Sequence, residues 1–387
     1  MIQTMIAKRF PLLLLLFFLT SCASIHDDKH SNPVTTGSGK SESEGIAPVF
    51  SVFLVGDGGA APIKSPNSVF ESLRKDLLDT GKSGAVVFLG DNVYPDGLPP
   101  EGDLLRDQSV QRLTTQLSAV EDYEGQVLFV PGNHDWQSSG VDGLEWVRRQ
   151  EVFVEEYLNR GNVFLPDNGE SGPVLRTLHH NSDTSETAKP FRIQLIALDT
   201  HWWIHPHEKP AGDGVSGEQE QKKRFLEEIE AMASNHPDDE ILVAAHHPLF
   251  SNGRHGGKFT LKTHLQPPVF GSLYVWYRRF FGLEQDIAGY SDLRRGLLNS
   301  FKQVDGLIYA SGHEHNLQYI PFETDSVKQH YLISGSASKT THVRKSDGNF
   351  HSYNGIGYIK LTYYSDRSKL IEFKNQGGIS VHSLIIK

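Results

Sequence analysis

Short apolar runs alternate with amphipathic stretches along most of this chain. Residues 49–55, 85–89, 126–130, 192–198, 241–245 and 307–310 are apolar, largely β-branched or aromatic, and of strand length. Each runs into a Gly, Pro, Ser, Asp or His. Helical spacing appears between them. Residues 68–78 place Val69, Leu73 and Leu77 on one face, and residues 218–232 do the same with Phe225, Leu226 and Ile229. Residues 104–120, 141–158 and 293–301 complete the predicted helices. Near-continuous apolar strands alternating with helices imply a parallel sheet buried on both faces. After residue 330 the texture changes. Residues 331–334, 357–363, 370–373 and 379–386 read as short strands separated by Gly, Asn and Ser, with no helical spacing, and predict a second sheet packed on the first. There is no internal repeat and no linker between the halves, so residues 47–387 read as one domain.

The N-terminal segment follows a different rule. Lys8 and Arg9 precede a short apolar stretch, residues 10–19, too short to span a bilayer as a stable helix. Leu19-Thr20-Ser21-Cys22 then resembles a bacterial lipobox. Residues 1–21 therefore read as a lipoprotein signal peptide, and Cys22, the one cysteine of the chain, as the lipidated residue. Residues 22–46, rich in Ser, Gly, Asp and Lys, read as a flexible tether. The expected location is the bacterial cell envelope, lipid-anchored and facing the periplasm or the surface. Hydrophobic content of 38% and charged content of 22% fit a globular body, and a net charge of -10 argues against a nucleic-acid partner.

Candidate chemistry sits where the apolar runs end. Five blocks occur in order: Gly56-Asp57-Gly58-Gly59, Gly90-Asp91-Asn92-Val93-Tyr94, Gly132-Asn133-His134-Asp135, Val243-Ala244-Ala245-His246 and Gly312-His313-Glu314-His315. Any one alone is an ordinary turn or helix cap. Together they offer carboxylates, a phenol, an amide and imidazoles, a donor set for two hard or borderline metal ions. Asp91 is the natural bridge. Asp57 and His315 would complete one ion, and Asn133, His246 and His313 the other. Such a pair suits phosphate-ester hydrolysis.

These blocks resemble the calcineurin-like metallophosphoesterases and, more narrowly, the purple acid phosphatases. The wider group opens with Asp-x-His. Here Gly59 stands in place of that His, and Tyr94 follows Asp91 by three residues. Residues 243–256 and 312–319 resemble the small tartrate-resistant enzymes. The resemblance implies an α/β/β/α sandwich of two mixed sheets and Fe(III) held by Asp57, Asp91, Tyr94 and His315. It implies a second ion, Fe(II), Zn or Mn, held by Asp91, Asn133, His246 and His313. His134 and His255 would contact phosphate and assist the leaving group. The implied activity is acid phosphatase hydrolysis of monoesters of small phosphorylated substrates, by direct attack of a metal-bound hydroxide. Other readings remain: a phosphodiesterase, nucleotidase or pyrophosphatase on the same centre, or a weakly catalytic surface-binding lipoprotein.

Several neighbouring residues carry weaker expectations. Asp135 would orient His134 or cap the following segment. Trp136 would bear on substrate choice. Asp199-Thr200 reads as structural, and His201, His205 and His207 as surface loop residues rather than an extra metal cluster. The aromatic segment 257–290 would be a lid, a membrane contact or a packing element.

Overall fold

The computed structural model describes residues 46–62, 69–182, 190–210, 217–253 and 287–387. The expected signal peptide, Cys22, the tether, His255 and all but the last few residues of the aromatic segment lie outside them. Among the described residues no helix is long and apolar enough to cross a membrane.

Thirteen strands are described, and they form two mixed sheets. The first sheet has β1 (Pro48–Val55), β2 (Gly84–Leu89) and β3 (Gln126–Val130) running parallel, extended beyond β1 by antiparallel β11 (Gly357–Tyr364), β12 (Lys369–Asn375) and β13 (Ser380–Ile386). The second sheet is centred on parallel β5 (Phe191–Ala197), β6 (Glu240–Ala244), β7 (Ile308–Ser311) and β9 (Lys328–Ser334). Antiparallel β4 (Val174–Asn181) flanks it on one side, and β8 (Leu317–Glu323) with β10 (His351–Tyr353) on the other. Helices are α1 (Val69–Thr80), α2 (Arg106–Leu117), α3 (Gly143–Leu158), α4 (Thr200–Ile204), α5 (Glu218–Ser234) and α6 (Ile287–Ser300).

The two-residue period of the strands builds the layers. Val52, Leu54, Val87, Leu89, Leu128 and Val130 of the first sheet meet Leu195, Leu242, Ala244, Ile308 and Leu332 of the second in one buried core. The intervening residues turn outward. Phe53, Val86, Phe88 and Phe129 pack under Leu73 and Leu77 of α1 and Leu113 and Leu117 of α2. Val243, Tyr309 and Tyr331 pack with Phe225 and Ile229 of α5 and Leu293 and Leu297 of α6. Each fully buried aliphatic or aromatic side chain contributes roughly 1.5–3 kcal/mol. The result is the expected four-layer α/β/β/α sandwich.

The strands are shared differently from the sequence expectation. The strands after residue 330 do not make the second sheet by themselves: β11, β12 and β13 complete the first sheet, and β9 inserts beside β7. Register such as Ser51↔Thr362 and Val52↔Leu361 is a contact across some 310 positions that no local period encodes. β4, β8, β10 and α4 were not expected. In β4, β8 and β10 mixed polar sequences, with Pro321 inside β8, mask the strand signal, and α4 is a helix of only five residues.

Candidate metal centre

The five motifs converge at the carboxyl ends of β1, β2, β3, β6 and β7, where an α/β sheet presents its loops. Backbone hydrogen bonds stitch these loops together. Asp57 N–H donates to the Gly90 carbonyl (3.0 Å), Gly59 N–H to the Asp91 carbonyl (3.0 Å) and Gly312 N–H to the His246 carbonyl (3.1 Å). Glycine is required by close approach. A Cβ on Gly132 would lie 2.3 Å from Asp91 Oδ1, and one on Gly90, at φ +86°, would lie 2.6 Å from His246 Nδ1. Asp57, Asp91 and His313 themselves adopt left-handed φ of 60°, 53° and 67°. His313 is the centre of a γ-turn closed by Glu314 N–H to the Gly312 carbonyl (2.8 Å). The Gly-His-Glu-His block is therefore turned at His313, and its two imidazoles serve different donor sets.

In the first set, Tyr94 Oη lies 2.9 Å from Asp57 Oδ1, 2.9 Å from Asp91 Oδ2 and 3.2 Å from His315 Nε2. His315 Nε2 is 3.4 Å from Asp57 Oδ1. In the second, Asn133 Oδ1, His246 Nε2 and His313 Nδ1 are each 3.1 Å from the other two. Asp91 Oδ1 is 3.3 Å from His246 Nε2. Asp91 thus gives one oxygen to each set. Ligand bonds of about 2.1 Å place neighbouring donors roughly 3.0–3.4 Å apart around an octahedral or tetrahedral ion, so both sets have ion-sized edges.

The donor chemistry also fits cations. His246 Nδ1 is held by the Leu89 carbonyl at 2.8 Å and must carry the hydrogen. Nε2 of the neutral ring then turns a lone pair toward the oxygens of Asn133 and Asp91, an arrangement that only a proton or a metal ion can satisfy. Burial alone would keep His246 neutral. The Asp91 carboxylate overrides it, with Asp57 in support, and pushes His246 up to about 10. Burial likewise opposes ionisation of Asp91, but His246 and His134 hold it well below the usual carboxylate range. Burial pushes the Tyr94 phenol well above its ordinary value, and Asp57 and Asp91 push it further. One hydroxyl hydrogen cannot serve both carboxylates and His315, and a cation of high charge is what would make this oxygen anionic.

Other residues depart from expectation. His134 is on the rim, its side chain 30% exposed, with Nε2 3.9 Å from Asp91 Oδ2. Its Nδ1 is bonded to the Pro95 carbonyl and lies 3.1 Å from Ser138 Oγ. Asp135 neither orients that ring nor caps a helix. Its buried carboxylate accepts from Gly132 N (2.8 Å), Asn92 N (3.0 Å), Val93 N (3.2 Å) and Gln150 Nε2 (3.0 Å), tying two ligand loops to α3. Trp136 is fully buried and donates to Asp199 Oδ2 (2.7 Å), away from any substrate. Asp199 is structural, as expected: it caps α4 through His201 N and Trp202 N. Thr200 bonds His247 Nδ1 at 2.8 Å, and that ring packs 4.7 Å from His313. His201 and His205 are not surface residues but 2% and 1% exposed, because their rings pack against His247 and Trp136 respectively. Lys339, which no motif marks, places its ammonium 3.0 Å from the centroid of the Tyr94 ring.

A family model described as calcineurin-like phosphoesterase matches residues 64–317. The chain belongs to that family. Calcineurin-like phosphoesterases are dimetal-dependent, and among the described residues Asp91, His246 and His313 bring their ligand atoms within 4.8 Å of one another. Among curated proteins none matches the sequence significantly. Similar solved structures include GAP50, the anchor in the inner membrane complex of Plasmodium, at 15% identity and a TM-score of 0.56, covering 88% of this chain and 89% of that one. The purple acid phosphatase PPD1 of yellow lupin (Lupinus luteus) seeds aligns at 14% identity and a TM-score of 0.49, over 87% of this chain and 53% of that one. At such identities the likeness concerns the fold alone.

Proposed function

We propose that this calcineurin-like phosphoesterase is a monoesterase of the purple acid phosphatase type. Asp57, Asp91, Tyr94 and His315 would hold Fe(III), and Asp91, Asn133, His246 and His313 a divalent ion: Fe(II), Zn or Mn. One observation carries the reading: Asp91 gives one oxygen to each of two ion-sized donor sets, and one set contains a phenol. A phenolate is a hard donor that favours a highly charged ion. When bound, the ions supply Lewis-acid charge for the phosphoryl oxygens and acidify water.

The chain's own residues do the rest. The Pro95 carbonyl fixes the Nδ1 hydrogen of His134, so Nε2 faces the centre and can pass a proton to the leaving oxygen when the ring is charged. His255 is proposed as a second contact to the leaving group. No protein nucleophile is needed, so oxygen from solvent should enter phosphate, not the released alcohol.

The deciding experiment compares p-nitrophenyl phosphate with bis(p-nitrophenyl) phosphate from acidic to neutral pH, using metal-loaded protein. We expect the monoester to dominate with an acidic optimum. Dominant diester hydrolysis would overturn the assignment. Full metal occupancy without turnover of either ester would point instead to a binding role. We also propose that Cys22 is lipidated and anchors the protein in the cell envelope. Radiolabelled palmitate should be incorporated by the wild type and lost in Cys22→Ser; retained label would refute the anchor.

A further inference from the structure

The loop that leaves β9 contains none of the five motifs, yet it is hydrogen-bonded to two segments that carry members of the first donor set. Ala337 N–H donates to the Gly56 carbonyl (3.2 Å) and Thr341 N–H to the His315 carbonyl (2.7 Å). The Ser338 hydroxyl donates to the Asp57 carbonyl and accepts from Ala60 N–H at 3.2 Å. Lys339 lies between these anchors. Its side chain is half-buried, and its ammonium stands 3.0 Å from the centroid of the Tyr94 ring, whose hydroxyl bonds both Asp57 and Asp91. Among the described residues, the ammonium has no hydrogen-bond or ion-pair partner besides that ring. A surface lysine normally loses rotamer freedom when it is fixed. Here the flanking backbone is already held, so a cation is stationed beside the centre, parked on a π face.

We propose that Lys339 is a substrate-binding residue that recognises the dianionic phosphoryl group and so selects monoesters over diesters. This rests on the phosphoesterase function proposed above. A monoester carries a charge near −2 and three terminal oxygens at neutral pH, whereas a diester carries −1 and two. A point charge at a half-buried rim attracts the dianion more strongly. Lysine suits this task because its three donors rotate to meet an oxygen in any direction.

Two variants test it. Lys339→Met keeps the stem over Tyr94 and removes the charge; Lys339→Arg keeps the charge. In Lys339→Met we expect KM for p-nitrophenyl phosphate and the inhibition constant of inorganic phosphate to rise about tenfold, with kcat changed less than about threefold. KM for the diester should move less than about twofold, so the monoester-to-diester ratio of kcat/KM falls, and Lys339→Arg should restore most of it. Equal effects on both esters, no effect, or loss of metal from Lys339→Met would each overturn the proposal. A second readout needs no turnover. Inorganic phosphate should protect Lys339 of the metal-loaded wild type from acetylation, read by peptide mass spectrometry, and dimethyl phosphate should not. Absence of protection refutes the role of Lys339. Protection in a protein that hydrolyses neither ester would retain Lys339 as a phosphate ligand while refuting the proposed activity.

Discussion

Three of the seven proposed ligands, Asp57, Asp91 and His313, sit in the left-handed region, where a non-glycine residue costs of order 1–3 kcal/mol. Asp and His tolerate it better than most. The conformation folds each side chain back over its strand end: the His313 N–H meets Asp57 Oδ2 at 2.7 Å, and the His134 N–H meets Asp91 Oδ1 at 3.0 Å. Both carboxylates are thereby oriented before any ion arrives. His134 differs from these ligands in kind: its ring packs on Tyr94 with centroids 4.4 Å apart, its Nε2 stays 3.9 Å from Asp91 Oδ2, and it is held from outside by Pro95 and Ser138. His134→Ala should therefore lower kcat by about 10²–10⁴-fold with both metals retained. Atomic absorption on the variant checks the second half, and normal kcat would remove His134 from the chemistry. Tyr94→Phe is the complementary case. It deletes one donor of the first set, so any visible phenolate-to-iron absorption should vanish; colour that persists would show that another residue supplies it.

At the scale of elements, the strand ends do the positioning and the helices brace them. Gln116 of α2 donates to the Asn92 carbonyl at 2.6 Å, Arg112 to the Tyr94 carbonyl at 2.8 Å, and Gln150 of α3 to Asp135 at 3.0 Å. The first sheet is braced on this face by Phe88 of β2, which stacks on Phe129 of β3 with centroids 4.1 Å apart and nearly parallel rings. Phe88→Ala should cost about 3–5 kcal/mol through lost contacts and the cavity left behind. Urea unfolding should show a lower midpoint at unchanged slope; a loss below 1 kcal/mol would mean that the layer collapses onto the gap. Such bracing was invisible in the sequence. The ligand motifs were legible because each follows an apolar run and carries a distinctive side chain. Asp135 was misread because its donors come from residues 92, 93, 132 and 150, a grouping that exists only after folding. The assignment of β11 to β13 to the second sheet failed for the same reason: alternation defines a strand, not its neighbour. His201 and His205 looked like loop residues because the rings that cover them, His247 and Trp136, are distant in sequence.

For the molecule as a whole, the centre is where the two sheets are held to each other at their carboxyl ends. Asp57, Asp91 and Asn133 come from the first sheet, and His246, His313 and His315 from the second. Beneath them the sandwich core is mainly apolar contact, with a few polar ties between the sheets such as Ser334 Oγ to the Leu54 carbonyl (2.6 Å) and Lys369 to Glu240 (2.7 Å). Above it, two buried carboxylates and converging lone pairs repel unless a cation lies between them. Metal binding should therefore act as a clamp between sheets and stabilise the fold by linkage. A site filled at a hundred times its dissociation constant adds about 2.7 kcal/mol, and two such sites act together. Removing metal with a chelator should lower the wild-type melting temperature by several degrees, with recovery on adding the ions back. Asp91→Ala removes the donor common to both sets, so its melting temperature should respond to neither chelator nor metal. An Asp91→Ala protein that still gained stability from added ions would mean that they bind elsewhere, and the clamp between the sheets would be refuted.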